Sequence, residues 1–217
     1  MNPNETFLST LNDIPGIHRC ETTTKEALIA QIMGMTQSAY SHQMLYERYC
    51  TIQDYIDAPP RAVFEYLADV HCLEEWTFST RDFEPTDEPG LYVGRDTLEV
   101  GTKIYCRVAA NPEAMTVDYH CAWDQGEELW MIYLMRVIPA ELVLGKRGSV
   151  VTWTNCRHPN YDRNPHPELA PPDRAWVGAY WDMFYAGHTV ELGNLKAIVE
   201  HRHAHGQPLH ARARSAA

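Results

Sequence analysis

The stretch that decides the fold is IDAPPRAVFEYLADVHCLEEWT, residues 56–77. Its two adjacent prolines stop an alternating strand and stand in the first turn of a helix, where the missing N–H of proline costs nothing. Apolar residues then recur at helical spacing until Trp76 closes a second, shorter run. We therefore predict a strand, a helix and a short helical corner. Glu74 and Glu75 are expected on the solvated face of the corner, with His71 and Glu74 in a surface contact.

Upstream of this stretch the sequence predicts a helical extension, residues 1–47. Residues 1–22 look irregular, and Thr23 and Glu26 then form the capping-box pattern that begins a helix over 24–46. We expect the apolar face of this helix to pack against the domain or against a second subunit, so that a homodimer through this helix is an alternative. The side chains expected in the contact are Leu28, Ile32 and Met35.

Downstream, six segments typical of strands lie between residues 77 and 157, with turn signals and no helices between them. This spacing predicts an antiparallel sheet. Alternation divides the side chains of each strand between two faces. The residues expected to face inward are Tyr119, Trp123, Trp153 and Asn155, and His120 is expected to face outward. In the segment ELWMIYLMRVI both faces are apolar, so either Trp130 or Tyr133 lines the interior.

The segment RHPNYDRNPHPELAPP, residues 157–172, holds five prolines and predicts a loop without regular structure. It leaves the last strand and enters the last helix, so we expect it to lie over one mouth of a cavity as a lid. A long helix is predicted over 173–202, capped by Asp173, with apolar residues at steps of three and four. A disordered tail is expected over 203–217.

This order of elements is similar to that of the START-like or Bet v 1-like (SRPBCC) superfamily, which includes polyketide cyclases and dehydratases. The resemblance covers residues 48–202 and is carried by 56–77, by GSVVTWTNCR at 148–157 and by the helix at 173–202. It implies an α+β helix-grip fold. In that fold a curved antiparallel sheet wraps around a long C-terminal helix and leaves a cavity between them; here an N-terminal helical extension is added. The superfamily shares no catalytic motif, so the resemblance carries over no catalytic residue.

His188 is the candidate proton-transfer group, because it interrupts the apolar stripe of the last helix where an aliphatic residue is expected. A packed core histidine bonded to a tyrosine or a carbonyl is the other interpretation, and the sequence leaves both open. The predicted catalytic set is His188, Tyr133 and Asn155. The predicted ligand-binding set is Tyr119, Trp123, Trp153, Trp181, Phe184 and Tyr185.

The composition limits the classes of partner and cofactor that are expected. The formal net charge of −11 argues against nucleic acid and against a membrane as a partner. The six cysteines lie far apart without a CxxC pair, a pattern that favours reduced thiols in a cytoplasmic protein over a zinc site. No cofactor and no metal are expected. Four histidines leave open a convergence in space: His71, His120, His158 and His188.

Three functions are compatible with these patterns. The leading one is a polyketide cyclase/dehydratase-like enzyme that binds a small hydrophobic or aromatic molecule and uses general acid–base catalysis for cyclisation or dehydration. The second is a non-catalytic carrier or sensor of a hydrophobic small molecule. The third is an accessory protein whose N-terminal helix makes an interface. Polar groups reaching into the cavity favour the first function, an entirely apolar cavity the second, and a filled cavity the third.

Overall fold

A computed structural model of the chain describes residues 9–39 and 48–210. Within these residues seven strands are formed: β1 Tyr49–Ile56, β2 Thr80–Pro85, β3 Leu91–Asp96, β4 Thr102–Asn111, β5 Thr116–Trp123, β6 Met131–Pro139 and β7 Ser149–Cys156. The α-helices are α1 Lys25–Ala39, α2 Pro60–Leu67, α3 Cys72–Trp76, α4 Ala140–Leu144 and α5 Phe184–Ala204. Short 3-10 helices cover Leu11–Asp13, Cys20–Thr22, Pro159–Tyr161, Pro167–Leu169 and Val177–Met183.

The strands form one curved sheet in the order β1-β7-β6-β5-β4-β3-β2, and every neighbouring pair is antiparallel. Strands β2 to β7 therefore follow one another as a meander, while β1 pairs with β7. The apolar side of α5 and the inward faces of the strands share one hydrophobic core. This is an α+β helix-grip fold, which confirms the fold class predicted from the order of the elements.

Alternation correctly predicts the inward faces of two strands. On β7, Trp153 and Asn155 are buried while the intervening Thr154 is half-buried. On β5, Tyr119 is 2% exposed and His120 lies on the opposite face. These faces follow from the pleat, because consecutive side chains of a strand point to opposite sides.

The N-terminal helix begins one residue later than its capping pattern suggests. The hydroxyl of Thr24, and not that of Thr23, accepts a hydrogen bond from the amide of Ala27, 3.2 Å away. Of the three side chains expected in the contact, Leu28 and Ile32 are buried, but Met35 is 38% exposed. The buried pair packs against the domain, in a cluster with Phe78, Leu98, Met183, Ala186 and Val190. The predicted end of the helix, residues 40–46, lies outside the described residues.

The gripping helix begins later than predicted, at Phe184. Asp173 does not cap it, since its backbone has a φ of 59°, in the left-handed region, and the chain turns there. Arg174 and Trp176, just after this turn, pack onto the sheet instead. Arg174 forms a two-pronged ion pair with Asp124, with N–O distances of 2.8 and 2.6 Å. A 3-10 helix over 177–183 then leads into α5.

The acids of the corner are buried, and the prediction of a solvated face is wrong. Glu74 is 2% and Glu75 is 0% exposed. Glu75 accepts hydrogen bonds from the Tyr66 hydroxyl at 2.6 Å and from the Arg202 guanidinium at 2.8 Å. Glu74 accepts bonds from the ring of His71 and from a backbone amide of β2. The corner is therefore anchored to the end of α5 by an ion pair enclosed in the core.

The proline-rich segment has more structure than predicted. It contains two short 3-10 helices, and Tyr161 on the first of them is fully buried. A Cβ atom on Gly178 would stand 1.7 Å from the carbonyl oxygen of Tyr161, so only glycine allows the two backbones to meet. The predicted tail also differs, because the backbone carbonyl of His210 accepts a hydrogen bond from Arg202. Residues 211–217 lie outside the described chain.

Candidate functional site: a cavity with a buried acid

A cavity of about 100 Å³ lies between the concave face of the sheet and α5. Its wall is mainly aliphatic and aromatic: Leu73, Trp76, Phe78, Phe83, Leu98, Ile104, Trp123, Met131, Trp153, Val177, Tyr180, Met183 and Phe184. The other groups that can ionise or hydrogen-bond in the wall are Thr77, Ser79, Thr80, Asp96, Tyr119, Cys121, Tyr133, His188 and Glu191. The wall holds neither lysine nor arginine, so its charges can only be acidic or those of one histidine.

His188 points from α5 into an aromatic surrounding. Its ring stacks on Trp153 with centroids 4.2 Å apart, and it meets the ring of Tyr133 edge-on at 5.7 Å. No group among residues 9–39 and 48–210 hydrogen-bonds its imidazole. Burial lowers the pKa of His188 from its usual 6.5 to about 3. The ring is therefore neutral at pH 7, and it is a weak base because its conjugate acid is so strong.

Glu191 lies one helical turn further along α5 and faces the same cavity. Its Oε1 accepts a hydrogen bond from the amide of Phe78 at 3.1 Å, while Oε2 has no hydrogen-bond partner in the described part of the chain. Burial raises the pKa of Glu191 from 4.5 to about 8, and the nearby Asp96 adds to the rise. The carboxyl is mostly protonated at pH 7 but keeps an ionised fraction, so it can both give and take a proton.

Asp96 is the second buried acid of the wall. Burial raises its pKa, while the amide of Leu98, which donates to Oδ1 at 2.9 Å, acts in the opposite direction. The indole of Trp123 also lowers the pKa of Asp96, although its N–H makes no hydrogen bond of ordinary geometry. Two carboxyls without a cation in the wall oppose each other's ionisation.

Two indole N–H groups of the wall are buried without a hydrogen-bond partner among the described residues, those of Trp123 and Trp153. The third indole of the wall differs, because the N–H of Trp76 donates to the sulfur of Cys72 at 3.2 Å. An unpaired buried donor costs about 1–3 kcal/mol, so a ligand that supplied acceptors would relieve this cost.

The two tyrosines of the predicted set have different surroundings. The hydroxyl of Tyr119 donates to the backbone carbonyl of Leu67 at 2.6 Å, which occupies its proton. Burial raises the pKa of Tyr133, and the neighbouring phenol of Tyr161 raises it further. Neither phenol is a base near pH 7. Asn155 lies behind this layer, where its amide nitrogen donates to the hydroxyl of Tyr161 at 3.2 Å.

The structure thus brings six of the nine predicted site residues into the cavity wall: Tyr119, Trp123, Tyr133, Trp153, Phe184 and His188. Asn155, Trp181 and Tyr185 are not part of it. Trp181 packs on Tyr161 with centroids 4.9 Å apart, behind the wall. Tyr185 points to a groove beside β1, because residues on opposite sides of a helix face different partners.

Two segments cover the cavity. In the segment 157–183, Trp176 packs against Trp123 of the wall, with centroids 5.7 Å apart, and Val177, Tyr180 and Met183 line the cavity. The proline-rich part predicted as the lid, residues 157–172, contributes none of the lining residues. On another side, α1 lays Leu28 and Ile32 over wall residues of the loops and of α5.

The scattered histidines do not converge. In the part of the chain that the structure describes, no three side chains of histidine, cysteine, aspartate or glutamate come together as a metal site. His71 is held by Glu74, and His158 packs against Trp130. Among the same described residues, no helix has both the length and the apolar character that a membrane crossing requires.

Comparison with known proteins leaves the activity open. A family model described as "Domain of unknown function (DUF8713)" matches residues 47–153, which leaves out α5 and with it His188 and Glu191. No curated protein matches the sequence. The aromatase/cyclase Zhui from Streptomyces sp. R1128 is similar in structure, with a TM-score of 0.49 and 18% identity over 74% of this chain and 98% of that chain.

Two other solved structures have similar TM-scores and sequence identities to this chain. The Aha1 dimer of Colwellia psychrerythraea has a TM-score of 0.46 and 16% identity, over 70% of this chain and 96% of that chain. A putative uncharacterised protein from Bacillus thuringiensis has a TM-score of 0.46 and 13% identity, over 70% of this chain and 98% of that chain. Similarities at this level do not transfer a ligand or a reaction.

Sequence reasoning missed Glu191, although a signal was present. Glu191 lies three positions after His188, and the apolar Leu192 lies four positions after it. Leu192 continues the apolar stripe of the helix and is also buried. A search for charged residues within one turn of the interrupting histidine would have found the acid, because positions three and four apart share a helix face.

Proposed function

We propose that the protein is a general acid–base enzyme that binds a small, largely apolar molecule in this cavity and dehydrates or cyclises it. The observation that carries the proposal is Glu191, a buried carboxyl poised between its two protonation states in a wall made mainly of aliphatic and aromatic side chains. Buried acids with pKa values near neutrality are typical of active sites, because proton transfer is most efficient when the catalytic pKa lies near the working pH.

Glu191 can carry out both proton transfers of a dehydration. In a β-hydroxy ketone, its carboxylate removes the proton from the carbon between the two oxygen-bearing carbons, and an enolate forms. The carboxyl then gives the same proton to the leaving hydroxyl group, so that water departs, the carbon–carbon double bond forms and the carboxylate is restored. His188 is neutral and positions or polarises the carbonyl through a hydrogen bond, while the base is Glu191.

The first half of this reaction can be measured before the natural substrate is known. We expect the protein to catalyse exchange of the protons next to the carbonyl of small cyclic ketones in D₂O, followed by NMR. Glu191→Gln keeps the shape and removes the titrating group, so the exchange rate is expected to fall about a hundredfold or more. Glu113→Gln, at an exposed turn, serves as the control and is expected to leave the rate unchanged.

The rate should also rise with pH toward the pKa of Glu191, since the carboxylate is the form that removes the proton. Equal rates for the wild-type protein and Glu191→Gln would contradict the proposal. A non-catalytic carrier is the second candidate, favoured by the predominance of apolar residues in the wall. That function predicts ligand binding without any catalysed exchange.

A further inference from the structure

The size of the cavity limits its ligand. Pockets for drug-sized molecules have volumes of about 300–1,000 Å³, and an engineered cavity of about 150 Å³ holds benzene. The cavity here has about 100 Å³ and is covered by two segments. It therefore suits a single ring after a small outward adjustment of the wall, whereas a fused polycyclic molecule would require the surrounding elements to separate.

The charges of the wall exclude an anionic ligand. Asp96 and Glu191 are both in the wall, and no lysine or arginine is. An anion would lose its hydration and meet acids and a neutral imidazole in the wall, which is unfavourable in a poorly solvated site. The nearest cation, Arg81, lies behind the wall and is already paired with Glu21. A cation that paired with Glu191 would need this carboxyl to ionise on binding, and binding would then release a proton. An uncharged ligand needs neither change.

The unpaired hydrogen-bonding groups of the wall are mainly donors. The indole N–H groups of Trp123 and Trp153 make no hydrogen bond of ordinary geometry among the described residues, although that of Trp123 lies near the carboxyl of Asp96. Glu191 in its protonated form adds the O–H of a carboxyl that uses one oxygen to accept from the backbone. A ligand that pairs with these donors must bring oxygen acceptors of its own.

We propose that the ligand is an uncharged single-ring compound with at least two oxygen acceptors, one of them a carbonyl. A cyclic hydroxy-ketone has this chemistry. The inference concerns the same cavity as the proposed function and names its class of substrate. It concerns binding alone, so it can be tested separately from catalysis.

Binding is measured by calorimetry and by ligand-observed NMR with four probes. They are 3-hydroxycyclohexanone, cyclohexanecarboxylate, cyclohexylamine and the two-ring ketone 1-tetralone. We expect 3-hydroxycyclohexanone to bind more tightly than the other three by about tenfold or more, since an unmatched charge or a lost hydrogen bond in a buried site weakens binding by about that factor. Tighter binding of the amine with proton release, or of the acid or the two-ring ketone, would overturn the proposal. Failure of 3-hydroxycyclohexanone to bind would do so as well.

The role of the indole donors is tested with a pair of ligands of equal size. In 3-methylcyclohexanone a methyl group replaces the hydroxyl, so the affinity ratio of the two compounds isolates the polar contact. Trp153→Phe or Trp123→Phe should reduce this ratio by about tenfold. Trp76→Phe is the matched control, because it removes a similar volume from the same wall. The donor that it removes is already bonded to Cys72, so the affinity ratio should stay near its wild-type value.

The result separates the two proposals. Selective binding of the hydroxy-ketone without catalysed exchange supports this ligand class and contradicts the enzyme. Catalysed exchange on the two-ring ketone, together with weak binding of the single ring, supports the enzyme and contradicts this ligand class. An unchanged affinity ratio in both Trp123→Phe and Trp153→Phe contradicts the assignment of the donors.

Discussion

At the scale of the residue, one physical cause acts on two neighbours in opposite directions. His188 and Glu191 stand on the same side of α5, and burial disfavours the charged form of each. For the imidazole the charged form is protonated, so its pKa falls to about 3. For the carboxyl the charged form is deprotonated, so its pKa rises to about 8. Both side chains are consequently neutral over a wide range around pH 6.

These shifts make folding stability depend on pH in two windows, which overlap between pH 4.5 and 6.5. The folded protein holds the Glu191 proton more tightly than the unfolded chain, so stability falls as the pH rises from 4.5 to 8. It holds the His188 proton less tightly, so stability falls as the pH drops from 6.5 to 3. Each effect amounts to about 5 kcal/mol when complete.

We therefore expect Glu191→Gln and His188→Gln to change opposite ends of the curve of folding stability against pH. Glu191→Gln should lose less free energy of unfolding between pH 6.5 and 8 than the wild-type protein does. His188→Gln should lose less between pH 4.5 and 3. Urea unfolding at these four pH values measures both differences. If the wild-type protein and Glu191→Gln have the same slope above pH 6.5, the carboxyl is not buried as described.

At the scale of the element, sequence patterns predicted positions well and partners poorly. The helical spacing in residues 56–77 correctly predicts α2 and the corner α3. The same local pattern places Glu75 in solvent, because nothing nearby reveals that Arg202, 127 positions away, fills the facing site. A charge enters the core only with its partner, and the partner is chosen by the tertiary fold.

The N-terminal helix α1 provides a prediction with an internal control. Ile32 is 0% exposed and Met35, one turn away, is 38% exposed. Ile32→Ala should lower the free energy of unfolding by about 2–5 kcal/mol, because it leaves a hole between the helix and the domain. Met35→Ala should change it by about 0.5 kcal/mol at most. Chemical denaturation of both variants measures the difference, and equal effects would argue that α1 does not pack on the domain.

At the scale of the whole molecule, the cavity depends on segments whose order along the chain can be predicted from the sequence but whose contacts with each other cannot. The order of the strands and the long last helix suffice to predict the helix-grip fold, since few topologies accommodate a run of antiparallel strands followed by one long helix. The covering of the cavity depends on close approaches such as that of Gly178 to Tyr161 and on the ion pair of Arg174 with Asp124. Contacts of this kind leave no periodic pattern, so they appear only in the folded chain.

The ion pair of Arg174 is expected to hold the covering segment 157–183 on the sheet. Both side chains are nearly buried, 3% and 5% exposed, so Arg174→Met leaves the acid of Asp124 without its partner. Hydrogen exchange in the segment should increase about tenfold or more, with β4 to β6 unchanged. Arg163→Met, at an exposed position of the same segment, is the matched control. Equal exchange in the two variants would show that the pair does not hold the segment.

The pairing of β1 with β7 also determines when the cavity can exist during protein synthesis. Thr51 of β1 pairs with Thr154 of β7, 103 positions later, so the first strand leaves the ribosome long before the strand that it pairs with. The helix that carries His188 and Glu191 follows later still. A nascent chain can form the hairpins of β2 to β6 in sequence, but its first strand remains an unpaired edge until β7 has been synthesised. Long-range pairing of this kind slows folding, and the unpaired strand is exposed to aggregation until its partner emerges.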